Sequence, residues 1–401
     1  MDLLSSPVQQ IPFVDLAWQH RPLQSEILAI VEATLSRGDY VLGQAVAEFE
    51  AAFAAACQRE YAVGVGCGTD AIALGLRACG IGEDDEVILP ANTFIATLIG
   101  IVKVGATPVF VDCELDTALL DLDATERAIT SKTKAIVPVH LYGQMVSAEG
   151  LRALAARHDV IIFEDAAQAH LAEREGYRAG SIGLGAAFSF YPSKNLGALG
   201  DGGICVTSQA QVAQTVRSLR NYGATRKYFH TEPGGTNSRL DTLQAAVLNL
   251  KLPHLAAWNR DRNSLAAYYD QALQPLAEKG LVPIKNVSGE GHVYHLYVVR
   301  VTADCPVDRT VLQLELSAHN IQSGIHYPTP CHLQPAFQGL GHGPGEFPNA
   351  ETLSQEILSL PMYPGLTTSQ IDRVVATMTA LLKGQAANVP ASPQFLQKDK
   401  H

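Results

Sequence analysis

Residues 188–203 read FSFYPSKNLGALGDGG and combine the end of an apolar strand, a single lysine and a glycine-rich turn. The small and aromatic side chains of residues 186–191 predict a buried strand. Pro192 has no amide hydrogen for a central sheet, so we expect the strand to end there. The four glycines that follow allow the backbone to turn tightly and to approach a ligand closely. Lys194 is therefore placed between a buried strand and a tight turn.

A lysine in this position is expected to carry an unusual amine. Poor solvation disfavours the ammonium form, so the pKa of Lys194 is predicted to fall below its ordinary value of about 10.4. A neutral amine can attack an aldehyde and hold it as a Schiff base. Most lysines are solvated surface charges, and Lys103, Lys132 and Lys134 are interpreted in that way. Catalysis at Lys194 requires partner residues elsewhere in the chain.

The composition is typical of a globular protein of enzyme size. The 401 residues are enough for two or more domains. The net charge of −11 and the lack of a dense Lys/Arg block argue against a nucleic-acid partner. Seven cysteines without metal-type spacing predict no metal site and suit a reducing cytosol. The N-terminal MDLLSSPVQQ does not have the pattern of a signal peptide, and no apolar stretch is long enough to span a membrane. We therefore expect a cytoplasmic protein with no membrane partner.

The order of helix-like and strand-like segments predicts an α/β protein. Helical patterns alternate with continuous apolar strands through the first part of the chain, which indicates a mostly parallel sheet covered on both faces. After about residue 250 the pattern changes to a long helix, the strand HVYHLYVVRV, and two helices in VLQLELSAHN and AETLSQEILSLP. The predicted domains are a large one over residues 1–250, a smaller α+β one over 251–384, and a flexible tail over 385–401.

Two segments place polar groups where a charged ligand could bind. In GVGCGTDAIALGL, glycines precede a helix whose free amides would attract a phosphate, although Thr69 or Asp70 could equally be a simple helix cap. In VIIFEDAAQAH, Asp165 ends an apolar strand, where ligands bind in open α/β sheets. Its carboxylate could pair with a protonated pyridine nitrogen, and Gln168 could donate to a phenolic oxygen of the same ring. The alternative for Asp165 is a helix cap.

Two further segments carry weaker signals. Phe94 in ANTFIATLIG follows a strand end and could stack on an aromatic ring, with core packing as the alternative. Arg239 in TNSRLDTLQAAVL could bind a phosphate or carboxylate through two hydrogen bonds. The alternative there is that Asn237 or Ser238 caps the following helix. Cys67 lies between two glycines, but no nearby histidine in the sequence would activate it as a nucleophile.

Seven motifs taken together resemble the DegT/DnrJ/StrS family of sugar aminotransferases. They are, in chain order, GCGTDAIALGL, PANTFIATL, PVHLYGQ, FEDAAQAH, FSFYPSKNLGALGDGG, LRNYG and NSRLDTLQAAVL. The likeness extends from Ile11 to Leu382 and is greatest to enzymes that aminate nucleotide-linked 3-keto-6-deoxyhexoses. It implies a pyridoxal 5′-phosphate enzyme of fold type I, similar to aspartate aminotransferase. That fold has a mostly parallel mixed sheet flanked by helices and a smaller C-terminal α+β domain.

The resemblance also implies a role for each cofactor-binding residue. Lys194 would hold the aldehyde of pyridoxal phosphate and move the α-proton of the substrate. Asp165 would pair with the pyridinium nitrogen, Gln168 would contact the phenolic oxygen, and Phe94 would cover the ring. Relatives that dehydrate sugars carry histidine in place of this lysine, so Lys194 favours amino transfer. The cofactor phosphate would be held by Thr69, Asp70 and Ser189, and by Asn237 of the other subunit.

The implied reaction moves an amino group from L-glutamate to a nucleotide-linked keto sugar. The expected acceptor is a dTDP-3-keto-6-deoxyhexose aminated at C3, and the enzyme would be a homodimer with shared active sites. The candidate contacts to the sugar nucleotide are Tyr191, Arg239, His326 and Tyr327. Two alternatives remain open at this stage: amination of a 4-keto sugar or a keto-cyclitol, and a non-catalytic regulator that retains the fold.

Overall fold

The protein is described here by a computed structural model covering residues 9–384. The tail predicted for residues 385–401 lies outside the described residues. The helices in this range are α1 (Leu16–His20), α2 (Gln24–Arg37), α3 (Gln44–Ala56), α4 (Gly68–Ala78), α5 (Ile95–Lys103), α6 (Leu122–Ala128), α7 (Ala148–His158), α8 (Ala210–Leu219), α9 (Thr242–Lys251), α10 (Leu255–Ala277), α11 (Arg309–Ala318), α12 (Pro348–Glu356) and α13 (Thr368–Leu382).

The strands of the described chain form one large sheet and three small ones. They are β1 (Tyr61–Val65), β2 (Glu86–Pro90), β3 (Thr107–Val111), β4 (Thr133–Ile136), β5 (Ile161–Asp165), β6 (Glu173–Arg174), β7 (Tyr177–Arg178), β8 (Gly185–Ser189), β9 (Gly203–Thr207), β10 (Ala224–Arg226), β11 (Phe229–His230), β12 (Leu281–Pro283), β13 (Tyr297–Val301) and β14 (Ile357–Leu360).

The large sheet has seven strands in the order β1-β9-β8-β5-β4-β2-β3. Only β9 is antiparallel to its neighbours, β1 and β8, and all other pairings are parallel. Its strands are almost wholly buried, as continuous apolar runs require when helices cover the sheet. The predicted α/β fold of type I, with a mostly parallel mixed sheet, is confirmed.

The connection between β8 and β9 carries Lys194. The strand β8 ends at Ser189, earlier than predicted, and Tyr191 is 55% exposed rather than buried. The backbone carbonyl of Phe190 accepts from the amide of Ala198, 2.8 Å away, which turns the chain out of the sheet. The glycines act through close packing: a side chain at Gly203 would clash with the backbone of Cys67.

From α10 onward the chain forms a second, smaller group of helices and strands. The strands β12, β13 and β14 form an antiparallel sheet, and α10, α11 and α13 pack around a second apolar core with it. One sequence prediction is corrected here. The segment AETLSQEILSLP was predicted to be a helix throughout, but α12 ends at Glu356 and the residues ILSL pair with β13 as β14.

The first described residues pack on this second core. Ile11 is fully buried in it and pairs with Ile321, while the ring of Phe13 stacks on His326 at 5.5 Å. The domain boundary near residue 250 stays a prediction, and the N-terminal segment lies against the smaller group of helices and strands. Within residues 9–384 no helix is both long and apolar enough to pass through a membrane.

Candidate active site

The carboxyl ends of the parallel strands meet along one edge of the large sheet. Because β1, β2, β5 and β8 run in the same direction, the residues that follow them lie along that edge. They include the start of α4 after β1, Phe94 after β2, Asp165 at the end of β5, and Lys194 after β8. The four groups that the sequence placed at strand ends are thus brought to one side of the sheet.

Lys194 is half-buried at this edge, and the side chains around it are called the Lys194 site below. The surrounding protein removes water from the amine, and this lowers the pKa of Lys194 to about 8, although the nearby Asp165 carboxylate acts in the opposite direction. An amine with this pKa is neutral in about a tenth of the molecules at pH 7, several hundred times more than an ordinary lysine. Such an amine can act as a nucleophile and as a proton carrier.

Asp165 is 5% exposed and accepts a hydrogen bond at each carboxylate oxygen. The hydroxyl of Thr97 donates to Oδ2 over 2.7 Å, and the amide of Ala167 donates to Oδ1 over 3.1 Å. Burial raises the pKa of Asp165, whereas these two donors and the charge of Lys194 oppose that rise. No helix begins at this point, so the helix-cap alternative for Asp165 is excluded.

The side-chain amide of Gln168 is oriented by two hydrogen bonds. Its Oε1 accepts from the backbone amide of Tyr142 at 2.7 Å, and its Nε2 donates to the hydroxyl of Tyr327 at 3.1 Å. The backbone of Tyr142 has a φ of 60°, an unusual value for a residue with a side chain. Because Oε1 is occupied by the amide of Tyr142, the donating nitrogen Nε2 of Gln168 faces the aromatic side chains of the Lys194 site.

Aromatic rings form one side of the Lys194 site. Phe94 is 51% exposed, which excludes core packing, and its ring centroid lies 5.2 Å from that of Tyr327. His326 accepts a hydrogen bond at its backbone oxygen from the hydroxyl of Tyr142, and its Nδ1 lies 2.9 Å from the hydroxyl of Ser359. Burial lowers the pKa of His326 to about 4, with a further contribution from Lys194, so its imidazole is neutral.

The amino end of α4 offers unshared amide donors. The helix begins at Gly68, and its N-cap residue is Cys67, whose side chain makes no capping hydrogen bond. The alternative of a cap by Thr69 or Asp70 is therefore excluded, because both lie inside the first turn. Ser189 packs directly against Gly68, where a side chain would collide with its Cβ. Burial raises the pKa of Cys67, which argues against a thiolate nucleophile.

The carboxylate of Asp70 is already engaged by two side chains. Lys103 Nζ lies 2.8 Å from Oδ1, and the hydroxyl of Ser238 donates to Oδ2 over 2.7 Å. Burial raises the pKa of Asp70, but Lys103 and Ser238 outweigh it and lower the pKa below the ordinary value. The group that Asp70 has left for a phosphate is its backbone amide. Lys103, which the sequence assigned to the solvated surface, contributes a positive charge here.

Asn237 and Arg239 flank Ser238 in the chain, and their contacts are with Asn221 and not with the residues of the Lys194 site. Asn237 is exposed and pairs through its backbone with Asn221. The guanidinium of Arg239 donates to Asn221 Oδ1 over 2.9 Å and lies 5.7 Å from the ring of Tyr222. The N-cap of α9 is Asp241, so neither Asn237 nor Ser238 caps that helix. Roles for Asn237 and Arg239 in binding stay predictions.

A buried polar network holds the residue next to Lys194. Asn195 is 1% exposed, and its Nδ2 donates to Asn259 Oδ1 at 2.9 Å and to the carbonyl of Val293 at 2.8 Å. Its Oδ1 lies 3.2 Å from Nδ1 of His295. Burial lowers the pKa of His295 well below the usual range, so a neutral ring donates this bond. The lysine loop is thereby attached to α10 and to the segment that leads into β13.

Sequence reasoning missed Thr97, Tyr142 and Asn195. Thr97 lies in an apolar helix with no local sign of a charged partner, and its contact with Asp165 spans 68 positions. Tyr142 acts through its backbone amide, which every residue but proline possesses. Asn195 gave a usable signal, because an amide directly after a candidate catalytic lysine is placed to hold its backbone.

The arrangement fits pyridoxal phosphate. The amine of Lys194 suits the aldehyde of the cofactor, the buried carboxylate of Asp165 suits its ring nitrogen, and the amide of Gln168 suits its phenolic oxygen. The exposed ring of Phe94 suits the face of the cofactor ring, and the uncapped start of α4 suits the phosphate. Within residues 9–384 no three His, Cys, Asp or Glu side chains are grouped as metal ligands.

Two relatives match nearly the whole chain. The erythromycin biosynthesis sensory transduction protein EryC1 of Saccharopolyspora erythraea is 46% identical over 92% of this chain and 99% of its own. The dTDP-3-amino-3,4,6-trideoxy-α-D-glucose transaminase of Streptomyces venezuelae is 45% identical over 91% of this chain and 94% of its own.

Solved structures show the same similarity. DesV of Streptomyces venezuelae, in complex with a ketimine intermediate, has a TM-score of 0.88 and 44% identity, covering 93% of this chain and 99% of that one. NtdA of Bacillus subtilis, with bound pyridoxamine phosphate, has a TM-score of 0.86 and 30% identity, covering 94% and 86%.

The profile of the DegT/DnrJ/EryC1/StrS aminotransferase family matches residues 22–379. The match includes most of both apolar cores and every candidate residue from Thr69 to Tyr327. It confirms the predicted family and, with it, pyridoxal phosphate as the cofactor. The chain belongs to the DegT/DnrJ/EryC1/StrS aminotransferase family.

Proposed function

We propose that this protein transfers an amino group from L-glutamate to C3 of a dTDP-linked 3-keto-6-deoxyhexose. The product would be a dTDP-3-amino-3,6-dideoxyhexose. The observation that carries the proposal is the partly desolvated Lys194 amine beside the buried Asp165 carboxylate. The choice of a dTDP sugar and of C3 is supported by the name of the Streptomyces venezuelae transaminase, which aligns over 91% of this chain.

Pyridoxal phosphate, when bound, supplies an aldehyde that accepts the amino group and a ring that withdraws electrons from the bond being broken. Lys194 holds the cofactor between turnovers. Its amine, when free, would carry the proton that moves during amino transfer. Asp165 keeps a proton on the ring nitrogen, and Gln168 donates from Nε2 to the phenolic oxygen. Phe94 covers one face of the ring.

The phosphate is held at the amino end of α4. The amides of Thr69 and Asp70 and the hydroxyls of Thr69 and Ser189 are the proposed donors, and the helix dipole favours the anion. Lys103 offsets the charge of the Asp70 carboxylate, to which it is bonded at 2.8 Å. Without that ion pair, the carboxylate would oppose the binding of a phosphate.

The sugar nucleotide is proposed to bind on the side of the Lys194 site that carries the aromatic side chains. Tyr191 is 55% exposed, and Tyr327 and His326 form the wall beside Phe94. A neutral His326 can hydrogen-bond a sugar hydroxyl without carrying a charge into the site. Arg239 can contact the diphosphate, because a guanidinium suits phosphate oxygens.

We further propose a cytoplasmic homodimer in which Asn237 reaches the cofactor phosphate of the other subunit. Large apolar side chains are exposed on α2 and after α8, including Leu35 at 63% and Tyr222 at 50%. Exposed large apolar side chains of this kind are candidates for an interface between proteins. The cytoplasmic location is supported by seven cysteines that form no disulfide.

The test combines absorbance with a panel of sugar nucleotides. Purified protein incubated with pyridoxal phosphate should show a band near the visible edge that moves when L-glutamate is added. With a dTDP-3-keto-6-deoxyhexose, mass spectrometry should then find the amino sugar. Amination of only a 4-keto sugar would move the reaction to C4. A protein that stays colourless with the cofactor would contradict the enzyme and favour a regulatory role.

A further inference from the structure

We propose that Thr97, supported by Thr93, is the positioning residue that keeps Asp165 ionised to receive the ring nitrogen of the cofactor. This inference rests on the assignment of pyridoxal phosphate but not on the identity of the sugar. It concerns two hydroxyls buried behind the site, on the side of Asp165 that faces α5.

The geometry joins three side chains in a line. Thr97 is in the first turn of α5 and is fully buried, and its Oγ1 lies 2.7 Å from Asp165 Oδ2. Thr93 precedes that helix, is 2% exposed, and places its Oγ1 2.8 Å from Oγ1 of Thr97. No other side-chain donor of the described chain lies within hydrogen-bond distance of this carboxylate, and Ala167 supplies one backbone amide.

The count of hydrogens fixes the direction of the chain of bonds. A threonine hydroxyl has one hydrogen to donate, and an ionised carboxylate can only accept. When Asp165 is ionised, Thr97 donates its hydrogen to Oδ2 and must accept from Thr93. Both hydroxyl dipoles then point toward the negative charge, and each polarises the next. A bond of this kind, from a hydroxyl to a charged oxygen, is stronger than one between neutral groups.

The other protein groups near Asp165 oppose the effect of burial on its pKa less strongly than Thr97 does. The charge of Lys194 ranks after the hydroxyl of Thr97 and the amide of Ala167. His140 donates from Nε2 to Glu164 at 3.0 Å, because its Nδ1 accepts from the amide of Val146. Tyr327 is the remaining titratable group nearby, and burial raises its pKa, so it stays neutral. Before the cofactor brings its ring nitrogen, the two hydroxyls and one amide are therefore the main groups that stabilise the carboxylate against burial.

The variant Thr97→Val tests the role of the hydroxyl, because valine has nearly the same shape. The probe is pyridoxamine 5′-phosphate, which cannot bond covalently to Lys194, added to full-length protein freed of cofactor. We expect Thr97→Val to weaken its binding by about 10–100-fold, the effect of losing one hydrogen bond to a charged group. Thr97→Ser retains the hydroxyl and should bind within about threefold of the unaltered protein.

A matched control and a double variant separate positioning from general stability. Thr125 is also fully buried, but its hydroxyl donates to the carbonyl of Asp121, the N-cap residue of α6, so Thr125→Val should leave binding unchanged. If Thr97 acts through the charge of Asp165, then Thr97→Val should cost almost nothing when Asp165→Asn is already present. Thr93→Val should weaken binding by a smaller factor, about threefold.

Three results would overturn the inference while leaving the proposed function intact. One is unchanged binding in Thr97→Val, and another is an equal loss in the Asp165→Asn background. The third applies if Thr97→Val does not fold, in which case unchanged binding in Thr93→Val, which removes a hydroxyl of the same line, would show that the line has no role. Failure of the unaltered protein to bind the probe would instead contradict the cofactor assignment itself.

Discussion

Two lysines of this chain have nearly the same titration behaviour and very different surroundings. Desolvation lowers the pKa of both Lys194 and Lys251 to about 8. Lys251 is fully buried at the end of α9, and its amine donates to the carbonyl of Gly197. Lys194 is half-buried and lies near the carboxylate of Asp165. A shifted pKa therefore does not identify the catalytic amine. Its position beside a carboxylate, in reach of a ligand, does so.

The pKa of Lys194 predicts how the cofactor-free protein responds to pH. The folded value of about 8 lies below the unfolded value of about 10.4, so the unfolded chain binds more protons between these two pH values. The contribution of Lys194 to stability therefore rises with pH from about 8 to 10.4 and is unfavourable and constant at lower pH.

We accordingly expect Lys194→Met to raise the melting temperature of cofactor-free protein at pH 7 and to lose this advantage by pH 10. Thermal unfolding of the two proteins at both pH values measures the difference. A variant that is equally stabilised at both would show that the amine is not the source of the effect.

At the residue scale, the sequence indicated candidate reactive groups more readily than the residues that support them. Lys194, Asp165 and Gln168 were predicted because polar residues at the ends of apolar strands are conspicuous. Thr97 was not found, since a threonine in the helix IATLIGIVK gives the same pattern as one that only packs. The engagement of Asp70 by Lys103 was likewise hidden, because the two are 33 positions apart.

At the scale of elements, the loop between β8 and β9 depends on contacts from outside the large sheet. Asn195 joins it to Asn259 in α10 and to Val293 and His295 before β13. We expect Asn195→Ala to reduce the free energy of unfolding by about 2–4 kcal/mol, because buried partners at Asn259 and Val293 lose their donor. Urea unfolding measures this loss.

The matched control is Asn249→Ala, which removes a single partly buried hydrogen bond to the carbonyl of Ala45. Its cost should be about 1 kcal/mol. Equal losses in the two variants would contradict a special role for the Asn195 network.

Helices and strands could be predicted where a segment had only the helical or only the strand pattern of apolar residues. The prediction was less accurate where one pattern passed directly into the other. The alternation of helices with continuous apolar strands was predicted correctly, although β8 ends at Ser189 and not at the predicted Tyr191. AETLSQEILSLP failed because the apolar residues of β14 continue the spacing of α12 without a turn signal. Pairing with β13, which no local pattern reveals, decided the outcome there.

At the scale of the whole molecule, the proposed shared active site makes a prediction about mixed subunits. If Asn237 serves the other subunit, a dimer of one Lys194→Ala chain and one Asn237→Ala chain has one intact site and one doubly altered site. At a pyridoxal phosphate concentration too low to fill the Asn237→Ala protein, unfolding and refolding the two variants together should restore about a quarter of normal activity. If both residues serve the same subunit, no site is intact and no activity returns.

The central claim is that pyridoxal phosphate bonds to Lys194. The most direct measurement is borohydride reduction of the protein with its cofactor, followed by digestion and mass spectrometry of the labelled peptide. We predict stoichiometric label on Lys194 and none on Lys251, although burial lowers the pKa of both to about 8. Label on Lys251 or another lysine, with Lys194 unmodified, would contradict the account.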